Sequence, residues 1–285
     1  MTHYNDLYYN STDGLRLYAR DYPHSAPRAT VLCMHGLSRN SADFATLCAE
    51  LHGDYRLISV DQRGRGLSAY DPEPSNYNPL VYVRDMLTLL DHLAIDRVVA
   101  IGTSMGGVIS MLMAATAPQR FRGVVLNDIG PVIDPAGLDR IRSYVGQLPA
   151  VATWQEAAAQ VRATNAIAFP DYGDDDWLAF ARNVYRENAT GVPVLAHDPA
   201  IAQSLKPTQV PVDMWSTFDA MTGLPLLVIR GASSDILSRE CVAEMRRRKP
   251  DLTAVEVPNR GHAPMLDEAV AIAAIRRFLG DLKAA

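Results

Sequence analysis

Cysteine is scarce in this chain: Cys33, Cys48 and Cys241 are the only three among 285 residues. An odd, sparse set offers no disulfide framework and suits a reducing compartment. Cys33 lies inside an apolar strand pattern and reads as a buried, inert thiol. Tryptophan is as scarce, and its three residues, Trp154, Trp177 and Trp215, share one stretch of the chain. Long apolar runs are missing, since none reaches the roughly 18 residues that span a membrane. The polar, aromatic N-terminus lacks the apolar core of a signal peptide. A cytoplasmic location, with no membrane partner, follows by default. The net charge is −5 and no long basic run appears, which argues against a nucleic-acid partner. The densest basic cluster, Arg246-Arg247-Arg248-Lys249, falls where a helix should end and suits the helix dipole. Nearly half the residues are hydrophobic and about a fifth charged, a balance that permits a large buried core.

The first half alternates two periodicities. Strand patterns cover 15–22, 29–34, 55–60, 98–101 and 121–126, and helical spacing covers 41–52, 80–93 and 105–117. Strands alternating with helices predict a parallel sheet with helices on both faces. Continuous apolar runs such as Val98-Val99-Ala100-Ile101 fit burial on both sides. The alternation breaks from 131 to about 222, where the pattern is helical and all three tryptophans lie. That insertion is too long for an ordinary loop and predicts a subdomain, a helical cap over 131–222. Strand and helix rhythm resumes with 224–229, 237–248, 252–257 and 266–279, so 1–130 and 223–285 form the α/β core.

The strand at 98–101 runs into Gly102-Thr103-Ser104-Met105-Gly106-Gly107, which opens the next helix. A serine nucleophile needs this strand–turn–helix setting, with small neighbours two residues away on either side. The helix N-terminus then faces developing negative charge. A serine hydroxyl also needs a general base. Of the seven histidines only His262, in Gly261-His262, follows the last strand. The orienting carboxylate is expected to be Asp235, in the loop after the strand at 224–229. Asp128, after the strand ending at Leu126, is the alternative acid, or else a turn-stabilising residue. The order Ser104…Asp235…His262 is that of an α/β-hydrolase triad. The oxyanion donors are expected to be the amides of Met105 and Leu37, with Gly36 allowing close backbone approach. His35 reads as a buttress of that loop.

The chain resembles the α/β-hydrolase superfamily, in its capped esterase, lactonase and C–C-hydrolase-like group. His35-Gly36-Leu37, Asp61-Gln62-Arg63-Gly64-Arg65-Gly66-Leu67-Ser68, the turn at Ser104, Gly231 to Asp235 and Gly261-His262 carry the resemblance. Leu126-Asn127-Asp128-Ile129-Gly130-Pro131 is similar to the core-to-cap junction of such proteins. The resemblance implies an eight-stranded, mostly parallel sheet, a helical lid after strand six, and no metal or organic cofactor. Ser104 stands where haloalkane dehalogenases and epoxide hydrolases carry aspartate. Ala263-Pro264-Met265 replaces the aromatic residue common after the histidine of C–C hydrolases. The expected activity is hydrolysis of a carboxylic ester or lactone of a small to medium acyl substrate. C–C hydrolysis, acyl transfer, perhydrolysis and a non-catalytic ligand-binding role are the alternatives. Arg39, Trp154, Trp177 and Trp215 are candidate substrate contacts, weighed against a salt bridge from Arg39 to Asp43 and tryptophan packing between cap helices. Arg63 and Ser68 read as hydrogen-bonding supports of their turn.

Overall fold

The computed structural model describes residues 3–205 and 213–282. Eight strands form one sheet: β1 (Asn5–Asn10), β2 (Arg16–Tyr22), β3 (Thr30–Met34), β4 (Arg56–Asp61), β5 (Val98–Thr103), β6 (Phe121–Asn127), β9 (Leu226–Gly231) and β10 (Thr253–Val257). Their spatial order is β1-β2-β4-β3-β5-β6-β9-β10. The pairs β1–β2 and β2–β4 are antiparallel, and all the others are parallel. β1 lies where the sequence is polar and aromatic apart from Leu7. As an edge strand it is mostly exposed and lacks an apolar pattern.

The apolar runs behave as strands buried on both faces. Successive side chains point to opposite sides, so Leu32 and Met34 join one apolar cluster while Val31 and Cys33 join the other. In β5, Val98 and Ala100 divide from Val99 and Ile101 in the same way. One cluster includes residues of α2 (Pro79–His92), α3 (Met105–Thr116) and α8 (Arg239–Arg248). The other includes residues of α1 (Ala45–Leu51) and α9 (Ala269–Asp281). Met111 and Met113 of α3 are core residues, and all three cysteines are buried and free.

Between β6 and β9 lie α4 (Pro135–Arg142), α5 (Trp154–Asn165), α6 (Asp174–Val184) and α7 (Met214–Ala220). The sequence pattern there reads as helical throughout, yet β7 (Tyr185–Glu187) and β8 (Pro193–Leu195) form a short antiparallel pair. Three-residue strands are too short to show a period. Ala157, Val161, Trp177, Phe180 and Val184 form a separate small apolar cluster within this segment. Part of the segment expected as a cap, 206–212, lies outside the described residues. Among the described residues, no helix is long and apolar enough to cross a membrane.

Candidate active site

Ser104 sits between the end of β5 and the start of α3, with φ 51° and ψ −115°. A non-glycine residue in such a conformation stores strain and needs its surroundings to hold it. Two glycines make that possible. A Cβ on Gly102 would lie 2.3 Å from the Gly106 carbonyl oxygen, and one on Gly106 would lie 2.0 Å from that of Met34. The first contact closes the turn. The second lets α3 press against the end of β3.

His262 follows β10, its loop held by the Gly261 amide donating to the Ala168 carbonyl at 2.8 Å. Its Nε2 lies 2.8 Å from Ser104 Oγ, and its Nδ1 lies 2.7 Å from Asp128 Oδ2. An ionised carboxylate only accepts, so Nδ1 carries the proton and Nε2 accepts from the serine hydroxyl. Asp128 is fully buried, yet no acceptor on its carboxylate is wasted. Its Oδ1 accepts from the Gly231 amide at 2.8 Å and its Oδ2 also accepts from Ser234 Oγ at 2.6 Å.

The expectation that Asp235 orients His262 is therefore corrected. Asp235 instead binds Arg140 of α4 through both oxygens, at 2.5 and 2.9 Å. Burial opposes ionisation of Asp235, but the Arg140 hydrogen bond and charge outweigh it and hold the carboxyl below its usual range. β6 and β9 are neighbours in the sheet, so both aspartates emerge at the same end. Asp128, at φ 56° directly after β6, turns its carboxylate under the histidine.

Leu37 and Ser104 share one pocket, and Met105 is the first residue of α3. An ideal Cβ on Gly36 would sit 3.7 Å from Ser104 Cβ, so this loop runs alongside the serine. The Met105 amide is one of the donors left without an intrahelical acceptor at a helix start.

The pocket is partly open to solvent, and Ile141, Tyr144, Phe169 and Phe180 of the inserted segment help to wall it. These residues and Asn165 carry no motif and had no mark in the sequence beyond their place in the insertion, while Met265 lines the pocket from the loop after His262. Arg39 does line the pocket. Its Nε and Nη2 both donate to Asp43 at 2.7 Å, and its guanidinium lies 3.8 Å from the Phe180 ring centre. None of the three tryptophans lines it. Trp177 is buried against Phe169 and Phe180. Trp154 donates to Glu187 at 3.0 Å, and Trp215 packs on Phe218 beneath Arg248. Asn127, which the sequence marks only as part of the core-to-cap junction, joins the serine turn to the histidine loop by donating to Thr103 Oγ1 and to the Pro264 carbonyl at 3.0 and 2.8 Å.

The stretch 61–68 supports this end of the sheet. Arg63 is buried among Asp13, Asp71 and Asp85, and Ser68 Oγ donates to the Asp61 carbonyl at 2.7 Å. His35 is fully buried. Its Nε2 accepts from the Gln62 amide at 3.0 Å, so its Nδ1 donates to the Gly36 carbonyl at 2.7 Å. Burial pushes His35 down to about 3 from an ordinary 6.5. The folded state then binds fewer protons than the unfolded chain below pH 6.5, so stability is lost as pH falls toward about 3. Relative to His35→Gln, the wild type should lose up to about 1.4 kcal/mol per pH unit as pH falls from 6.5 toward about 3. Urea melts of both proteins between pH 7 and 4.5 check this, and parallel profiles would contradict it.

A model of the alpha/beta hydrolase family matches residues 31–275. A 3-hydroxybutyrate-oligomer hydrolase of Cupriavidus necator is 36% identical over 261 residues, covering 88% of each chain. A 2-(acetamidomethylene)succinate hydrolase of Mesorhizobium japonicum is 32% identical, with 81% of each chain covered. The crystal structure of an alpha/beta hydrolase from Novosphingobium aromaticivorans superposes with a TM-score of 0.92 at 43% identity, covering 98% of this chain and 99% of that one. With the same sheet and a matched family model, this chain belongs to the alpha/beta hydrolase family, as a hydrolytic enzyme.

Proposed function

We propose that the chain is a carboxylic-ester hydrolase working through an acyl-enzyme at Ser104. His262 takes the Ser104 proton as Oγ attacks the carbonyl carbon. The Leu37 and Met105 amides receive the oxyanion. His262 then returns the proton to the leaving alcohol as the ester C–O bond breaks. Water, deprotonated by His262, cleaves the acyl-enzyme and releases the acid. Asp128 keeps the imidazole in the tautomer that accepts from serine. The single observation carrying this reading is His262 held between Ser104 at 2.8 Å and Asp128 at 2.7 Å.

The pocket favours a neutral acyl group of small to medium size. Arg39 is occupied by Asp43 and Arg140 by Asp235, so neither is free for a substrate carboxylate at the reacting end. The inserted segment 131–222 serves as the cap, presenting Tyr144, Phe169 and Phe180 to the acyl chain. The name of the Cupriavidus necator relative supports short 3-hydroxybutyrate oligomers, which are joined by ester bonds, as substrates to try first.

A fluorophosphonate should label Ser104 stoichiometrically in the native protein, located by peptide mass spectrometry, and Ser104→Ala should take up none. Folded protein that stays unlabelled would sink the reading. Turnover of 4-nitrophenyl esters from acetate to octanoate and of 3-hydroxybutyrate dimer and trimer should exceed that of lactones and ring-fission diketones. Preference for a diketone would move the assignment to C–C hydrolysis.

A further inference from the structure

We propose that Arg65 is a positioning residue of the oxyanion site, holding the Leu37 and Met105 segments in place and lending them an unneutralised positive charge. The proposal rests on the ester-hydrolase reading above. Arg65 is completely buried. Its Nε donates to the Leu37 carbonyl at 2.9 Å, and its Nη2 lies 3.6 Å from Met105 Sδ. One guanidinium thus touches both residues whose amides would receive the oxyanion. Its Nη1 donates to the Arg63 carbonyl and to Tyr82 Oη, each at 2.8 Å. The planar fork fixes these groups relative to one another, which a lysine ammonium cannot do.

The contrast with Arg63, two residues earlier, gives the charge its meaning. Arg63 is matched by three carboxylates. Among the described residues no carboxylate comes within ion-pair distance of Arg65, whose hydrogen-bond partners are two carbonyls, a phenol and a thioether and whose guanidinium lies 5.6 and 5.1 Å from the Tyr77 and Tyr82 ring centres. A buried charge without a counter-ion is costly for folding. The same low-polarity surroundings let its field reach farther than it would in water. His35 and His197 are held below their ordinary pKa by burial first, and the positive charge of Arg65 adds to it. When an ester carbonyl becomes a tetrahedral oxyanion at the Leu37 and Met105 amides, Arg65 is in contact with both residues that donate them. The neutral ground state gains little from that charge and the anionic transition state gains more, which is the condition for raising kcat rather than lowering KM.

The test compares Arg65→Lys, Arg65→Gln and Arg65→Met with wild type, after circular dichroism and thermal melts establish which are folded. Each is assayed for ester kcat and KM and for affinity toward an alkyl boronic acid, which forms a tetrahedral anion on serine. The expected result is a fall in kcat of about 10–100-fold for the neutral variants, with KM within about threefold and boronate affinity falling in step. Arg65→Lys should retain more activity than either. A folded neutral variant with kcat within twofold of wild type overturns the proposal, and so does a lysine variant as damaged as the methionine one. If neither neutral variant folds, Arg65→Lys alone decides. A loss in kcat matched by the boronate supports the proposal, and a loss confined to KM, or none, overturns it. Failure of the hydrolase reading is distinguishable, because wild type itself would then neither turn over esters nor bind the boronate.

Discussion

Asp128→Asn is expected to lower kcat for ester hydrolysis by about 10⁴-fold, the cost of the equivalent change in a serine protease, while Asp235→Asn leaves it within a few-fold. An asparagine amide can turn its N–H toward His262 Nδ1, which favours the tautomer with the proton on Nε2. That nitrogen then no longer accepts from Ser104, 2.8 Å away. The geometry survives and the proton path does not. The remaining oxygen still accepts from the Gly231 amide, and the NH2 in place of Oδ2 can donate its second proton to Ser234 Oγ, so the fold should persist. Asp235→Asn weakens the tie to Arg140 on α4 and should show mainly as a small loss in melting temperature. Steady-state kinetics of the two variants at one pH, beside their thermal melts, decide the matter. The opposite ranking would return the acid's role to Asp235.

Gly106→Ala is expected to be among the most damaging single-methyl additions in the chain. The new Cβ would lie 2.0 Å from the Met34 carbonyl oxygen, well inside contact distance and against backbone that cannot rotate away. Something must move: α3 away from β3, or the turn itself. The expected cost is about 4 kcal/mol or more, in the range of overpacked core sites, a drop in melting temperature of roughly 10 °C for a chain of this size. Any protein that still folds should be poorly active, since displacement of a reacting group by about 1 Å costs on the order of 100-fold. Gly36→Ala is the control. Its Cβ would meet its nearest neighbour, Arg39 Cγ, at 3.7 Å, ordinary contact, so its stability should stay near wild type. Equal melting temperatures for all three proteins would refute the steric account of the motif.

Legibility in the sequence tracks how local each feature is. The Ser104 turn is readable because strand, glycines and helix start are consecutive residues. The buried strands of the sheet are readable because burial on both faces leaves unbroken apolar runs. β1 escapes because an exposed edge carries no such run, and β7 and β8 escape because three residues show no period. The tryptophans illustrate a different limit. Their confinement to the insertion is visible, but Trp177 faces Phe169 and Phe180 from inside the cluster. Those two phenylalanines, rather than the tryptophan, reach the pocket. Helical spacing alone does not say which side of a small helical cluster meets the substrate.

By itself the sequence determined the sheet's strand–helix rhythm, the inserted segment, the strained serine turn and the histidine that follows the last strand. Each of these is written in neighbouring residues. Tertiary structure decided which carboxylate reaches His262. Two aspartates leave adjacent strands at one end of the sheet, and only the backbone path after β6 brings Asp128 to 2.7 Å, while Arg140 from a distant helix claims Asp235. It also decided that Arg63 gathers Asp13, Asp71 and Asp85, and that Arg65 lies buried against Leu37 and Met105 with, among the described residues, no carboxylate in ion-pair reach. Pairings between charges far apart in the chain depend on distances set by packing, and no local pattern records them.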